Sequence, residues 1–214
     1  LNVCWLVTIL YSSDFVRYHF QDRAPTFYGL MSVALSLITG AGTSDNLFTL
    51  YVFYLLSIPV ILPLVTLREG NESKMAGRWY ICSTLAPALL VALPVLIYVG
   101  QWFVPFEHLS IRQITESDST ASLILAGLVV GFSKNCVAPF WGWLPRTSIA
   151  PAPVSGLIHS VGAVHMGTIA ILKIIVYLYG YEYMSRLSLR FEHAGWLIYL
   201  CGGTAVYTAI CAYR

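Results

Sequence analysis

Hydrophobic positions in this chain fall into long unbroken blocks instead of alternating with polar ones. Uncharged stretches cover residues 24–44, 46–67, 79–106, 119–133, 147–172 and 193–213. Most are close to the ~20 residues that an α-helix needs to cross a bilayer. The blocks predict spans near 26–43, 46–67, 78–100, 121–143, 151–179 and 195–213, with the end of one further helix at 1–11. The expected fold class is therefore all-α: a polytopic transmembrane bundle of about six full spans plus a partial one, with 1–214 as a single membrane domain. The run 1–11 is too short to span and carries neither a basic leader nor a small-residue cleavage site. It reads, like the apolar stretch that ends at Arg214, as cut from a longer protein.

Basic residues are shared unequally between alternate loops. Arg17, Arg23, Arg68, Lys74, Arg78, Arg146 and Arg214 fall on one side of the expected topology, and Arg112, Arg186 and Arg190 on the other. The positive-inside rule places the first set on the cytoplasmic or matrix side. Proline is frequent in the spans, at Pro59, Pro63, Pro87, Pro94, Pro139, Pro151 and Pro153. Each removes a helical hydrogen bond and frees the carbonyl four residues earlier. In a membrane that carbonyl needs another protein group or trapped water. Broken helices of this kind are common in transport proteins, although proline is also simply more frequent in membrane helices.

Composition agrees with the pattern. Hydrophobic residues make up 57% and charged residues 10%, where a soluble domain carries roughly 25% charged. An ordinary soluble enzyme is excluded, and no polar insert longer than 101–120 leaves room for a soluble catalytic domain. The net charge of +2 is small and dispersed, which argues against a nucleic-acid partner. Five cysteines show no ligand spacing and read as small buried apolar residues, so no metal, haem or other cofactor is expected. The alternating charges at 68–78 predict a solvated turn, and 181–193 an interfacial amphipathic stretch.

The ionisable residues inside the spans carry the candidate chemistry. Lys134 falls in the middle of the fourth full span, where an ammonium costs ~2.5–3.5 kcal/mol to insert and marks a functional position. Pro139 follows five residues later, which suggests a lysine at a helix break near a carbonyl freed at Asn135. The alternative is a lysine that snorkels to an interface. His159, His165 and Lys173 share the next apolar span. Either they pass protons through intervening water, or each histidine bonds a neighbouring helix and Lys173 marks the far interface.

The runs GFSKNCVAPFWGWLP (131–145) and PAPVSGLIHS (151–160) resemble the seventh- and eighth-helix motifs of the antiporter-like subunits of respiratory complex I and of multisubunit cation/proton antiporters. In that family a lysine sits nine residues before the Trp of a WLP triplet, the spacing of Lys134 and Trp143. The family's PTPVSALIHS places His159 on its helix-eight histidine, and its basic residue near the end of that helix corresponds to Lys173. The runs SDNLFTLYVFYLLSIP (44–59) and 71–98 resemble the family's fourth to sixth helices. The resemblance implies a fragment, from the end of the third helix through the ninth, of a fourteen-helix antiporter-like fold.

By that resemblance the chain is expected to be a proton-translocating membrane-arm subunit of mitochondrial NADH:ubiquinone oxidoreductase, of the chain 5, chain 4 or chain 2 type. It would lie in the mitochondrial inner membrane. It would count as an enzyme only as a subunit, since quinone reduction elsewhere drives proton movement and this chain carries no redox cofactor. Lys134 would be the central carrier, His159 and His165 relay groups, and Lys173 a terminal group. The implied partners are other membrane-arm subunits, a separate polypeptide with the later helices, and lipids. The alternatives are a cation/proton antiporter subunit without NADH chemistry and a structural remnant that no longer pumps. One departure stands out: where the family pairs the lysine with a fifth-helix glutamate, this chain reads Phe53-Tyr54-Leu55-Leu56.

Overall fold

A computed structural model describes residues 2–68, 70–137, 140–160, 162–189 and 194–213, with the backbone alone at 2, 135, 157–160 and 212. The described residues are all-helical in their regular structure, as the apolar blocks require: with no water in the bilayer core, a helix satisfies its own backbone. Helix α1 spans Asn2–His19, α2 Ala24–Thr43 and α3 Leu47–Val65. Helix α4 (Asn71–Pro87) runs through a π-turn at Ala88–Ala92 into α5 (Leu93–Val99). A short α6 (Ile111–Ile114) leads to α7 (Asp118–Gly131), followed by α8 (Trp143–Thr147), α9 (Ala152–Ser160), α10 (Ala163–Lys173), α11 (Tyr181–Ser188) and α12 (Trp196–Tyr213).

Among the described residues three helices are long and apolar enough to cross a membrane: Gln21–Thr43, Leu47–Val65 and Asn71–Val99. A fourth is reached if Ala163–Tyr179 and Tyr181–Ser188, which meet at a 98° bend, form one broken span. Asp118–Gly131 and Trp196–Cys211 are shorter apolar helices. The expected continuous spans at 121–143 and 151–179 are thus interrupted. The first leaves α-helical geometry at Phe132 (φ −88°, ψ 46°), and the second is divided at Gly162 (φ −100°, ψ −101°). The expected helix end at 1–11 instead continues to His19, with the hydroxyls of Ser12 and Ser13 accommodated inside the helix on the carbonyls of Ile9 and Leu10, each 2.8 Å away. Asn71–Gly77, expected as a solvated turn, forms the first turns of α4, while Glu69 lies outside the described residues.

Local chemistry fixes the helix ends. The Asn46 side chain accepts the Thr49 N–H at 2.8 Å and caps α3. Gly100, at φ 69°, closes α5 in the left-handed conformation that glycine adopts without a Cβ penalty. Pro153 falls in the first turn of α9, where a missing N–H costs nothing, but Pro59, Pro63 and Pro87 lie inside helices and Pro94 just where the π-turn passes into α5. Pro87 cannot donate to the Ser83 carbonyl, and the Ser133 hydroxyl does so instead at 2.6 Å. The Tyr51 hydroxyl donates to the Ala88 carbonyl in the π-turn at 2.9 Å.

The interior is packed closely where small residues meet. A Cβ on Gly131 would stand 2.4 Å from that of Ala92, and one on Gly127 would stand 2.6 Å from Val95. The two glycines form a G-x-x-x-G stripe that lets α7 approach the π-turn and α5. Outward faces carry Leu56, Leu90, Leu123, Leu172 and Ile198, as lipid contact requires. Cys4, Cys82, Cys201 and Cys211 also lie on exposed faces, not in the core as expected. Lipid is as apolar as a core, so a small apolar residue suits either place.

Among the described residues the two loop sets separate to opposite ends of the bundle. At one end Arg23 reaches the Leu67 carbonyl at 3.4 Å and Arg146 covers the Trp79 ring at 4.2 Å. At the other, Phe106 N–H donates to Asp45, Phe48 N–H to Trp102, and Phe106 packs on Tyr177. Helix α11 turns away from α10 there and is pinned to the start of α7 through Tyr183 and Asp118, 2.7 Å apart.

Candidate functional site

Three elements meet at Lys134: the irregular turn Ser133–Asn135, the middle of α3, and α10. Phe132, Ser133 and Lys134 are all buried, with Lys134 at 0% exposure. That value removes the snorkelling alternative, since no part of the side chain reaches an interface of the chain. Its ammonium donates to the Ser57 hydroxyl in a short contact and to the Tyr54 carbonyl at 3.3 Å. The nitrogen also stands over the Tyr54 ring, 4.5 Å from its centroid, while the Lys134 backbone N–H donates to the Tyr54 hydroxyl at 3.2 Å. Phe132 meets Tyr54 edge-on at 4.8 Å.

The lysine therefore lies at a helix break, as expected, but the break precedes it. The chain departs from the helix at Phe132 and turns again at Cys136, a non-glycine residue at φ 59°. The carbonyl of Asn135 is no longer a helical one, so the expected role of Pro139 falls away; Pro139 itself lies outside the described residues. Among the described residues the ammonium has no carboxylate partner. The stretch that lacks the family's glutamate supplies a hydroxyl, a carbonyl and an aromatic face in its place. Sequence reasoning registered the missing acid at Tyr54 without seeing that Tyr54 and Ser57 are the lysine's partners. Their spacing of three residues on one helix face was the available signal.

The other sequence-predicted residues are not gathered here. Lys173, half-buried on α10, donates to the Ser44 carbonyl at 2.6 Å and to its hydroxyl at 3.2 Å, and lies 5.4 Å from the Phe106 ring centroid. It thereby satisfies the C-terminus of α2, where the helix dipole favours a cation. His165 is exposed: the buried face of α10 is Ala163, Met166, Gly167 and Ala170. His159 belongs to α9 and not to the helix of His165 and Lys173, which corrects the single-helix expectation, and its side chain lies outside the described residues.

A helical bundle with apolar outward faces and an ionisable side chain sealed at a helix break defines a polytopic membrane protein with a buried intramembrane cation. Residues 44–210 match the model of the NADH:quinone oxidoreductase/Mrp antiporter transmembrane family, and the chain belongs to that family. It is 24% identical over 177 residues to the putative antiporter subunit mnhA2 of Staphylococcus saprophyticus, covering 81% of this chain and 22% of that protein. It is 26% identical over 175 residues to the Na(+)/H(+) antiporter subunit A1 of Staphylococcus aureus strain RF122, covering 78% of this chain and 21% of that protein. The chain thus spans about a fifth of the length of these curated relatives.

Proposed function

We propose that this chain is a proton-conducting part of a multisubunit cation/proton antiporter, with Lys134 as the group that takes up and releases the proton. The observation that carries this reading is a completely buried lysine at a broken helix whose ammonium has, among the described residues, only a hydroxyl, a carbonyl and a ring to hold it. Without a counter-charge, an ammonium in low-dielectric surroundings is a costly state. It is relieved by passing the proton on, and that instability is what a relay requires. A proton arriving from one side bonds the amine lone pair, and release to the other side restores the amine. The named relatives are antiporter subunits, which supports the antiporter reading over one with NADH chemistry. The implied partners are other membrane subunits and the polypeptide that supplies the remaining helices.

Lys173 is the candidate terminal group at the Ser44 end. His165, exposed on α10, is read as a group that exchanges protons with a neighbouring helix or subunit. His159 carries over from the family motif alone. A second reading keeps the same proton path but drives it from a mitochondrial complex I. It rests on the match of 131–145 and 151–160 to the motifs of that enzyme's membrane arm. In that reading the chain is an enzyme only as a subunit of a proton-translocating NADH:ubiquinone reductase.

The test is proton translocation by the intact assembly in sealed vesicles. Lys134→Ala should lower the rate by ~10²-fold or more, the scale of removing one proton-transfer group, whereas Lys74→Ala on the exposed first turn of α4 should not. Full transport by Lys134→Ala in an assembled complex overturns the proposal. Copurification with flavin and iron-sulfur proteins would move the driver to complex I.

A further inference from the structure

Tyr80 on α4 and Trp143 on α8 are both fully buried, and neither the tyrosine hydroxyl nor the indole N–H has a hydrogen-bond partner among the described residues. Their rings pack edge-on with centroids 5.4 Å apart. Buried polar groups are almost always satisfied, and leaving one unmet is costly. Here a donor and a donor–acceptor are carried on two rings in contact, a pair of groups that an internal water can join.

Their position gives the water a purpose. On one side Tyr80 lies one turn before Ser83 on α4, whose carbonyl receives the hydroxyl of Ser133, the residue next to Lys134. On the other, the adjacent Trp79 of α4 is covered at 4.2 Å by Arg146, one turn after Trp143 on α8. Arg146, Trp143 and Tyr80 therefore follow one another toward Ser133 and Lys134. Trp5 supplies a contrast: its indole N–H is also buried and unpartnered, but it faces a cavity lined by Met31, Ala34, Ile38, Ile61 and Leu64. A water there would find one polar partner.

We propose that Tyr80 and Trp143 bind an internal water on the proton path between Lys134 and the Arg146 end of the bundle. The two side chains are positioning residues: they hold the water, and protons cross it by exchange of hydrogen bonds without net consumption. The role in conduction rests on the proposed function of Lys134; the water site itself does not.

The experiment separates the two. Synchrotron hydroxyl-radical footprinting of the assembled protein labels side chains that contact internal water. Tyr80 and Trp143 should be modified despite their burial, Trp5 should not, and Tyr80→Phe should reduce modification of Trp143 severalfold. Unmodified Tyr80 and Trp143 beside a modified, exposed Trp79 overturns the site, as does equal labelling of Trp5. In vesicles, Tyr80→Phe and Trp143→Phe should each slow proton translocation roughly tenfold, the scale of one hydrogen bond lost, and enlarge its solvent deuterium isotope effect. Labelled residues with unchanged transport in both variants overturn the conduction role. Retained transport in Lys134→Ala overturns instead the function assigned to the lysine.

Discussion

The Ser133 hydroxyl donates to the carbonyl of Ser83 at 2.6 Å, and Ser83 is the residue whose helical donor Pro87 eliminates. The side chain next to the candidate proton carrier thus closes a gap in another helix, fixing the broken segment against α4. Ser133→Ala should destabilise the protein by ~1–3 kcal/mol, because it strands the carbonyl. In a Pro87→Ala background, where an N–H returns to the helix, the same substitution should cost clearly less. Thermal unfolding of the four proteins in detergent measures the difference. Equal costs in both backgrounds would remove this account of the contact.

The G-x-x-x-G stripe makes a sharper demand on volume. Gly131→Ala places its methyl 2.4 Å from the Ala92 Cβ and 2.8 Å from Ala92 backbone atoms, so backbone must move. The expected cost is ~1–3 kcal/mol, as for overpacked cores. Gly29, with no atom within 4 Å of an added Cβ, should accept alanine freely. The midpoint of thermal unfolding should therefore fall for the first variant and hold for the second; similar midpoints would count against the close approach.

The apolar blocks made the helical membrane fold legible, and a mid-membrane lysine announced its own importance, because both follow from the energy of burying charge in lipid. What stayed illegible depends on backbone breaks and side-chain reach. A 20-residue apolar run looks the same whether or not Phe132 and Gly162 leave helical geometry. His159 and His165 therefore seemed to share a helix that does not exist. The partners Tyr54 and Ser57 are about 80 residues distant from Lys134 in sequence, and ordinary hydroxyl residues in an apolar helix carry no mark of what will pack against them. Lys173 was legible as an end group, but its grip on Ser44 required two helices to be placed side by side.

The interfacial contact between Tyr183 and Asp118 sets an alkaline limit. Burial and the bond to the carboxylate push the Tyr183 hydroxyl up to about 12 from its ordinary 10.0. The folded state keeps a proton that the unfolded chain releases, so the linked stability is complete below pH 10 and declines as pH rises from 10 toward 12. Tyr183→Phe removes both the bond and this dependence. Between those pH values the wild type should lose stability more steeply than the variant in denaturant titrations. Parallel curves would detach Tyr183 from the alkaline transition.

The most informative substitution restores the charge that this chain lacks. Ser57 already touches the Lys134 ammonium, so Ser57→Asp brings a carboxylate to that contact and converts a bare cation into an ion pair. An opposite charge at that distance favours the protonated lysine. If release of the proton limits transport, Ser57→Asp should turn over slowly at neutral pH and recover as the medium becomes alkaline. Ser57→Ala removes the hydroxyl without adding charge and should leave the pH profile in place while lowering the rate modestly. The vesicle assay across pH reads both. Transport by Ser57→Asp with an unshifted profile would mean that the lysine's proton is not the one being moved, and that a hydroxyl in place of the family's carboxylate is only a packing choice.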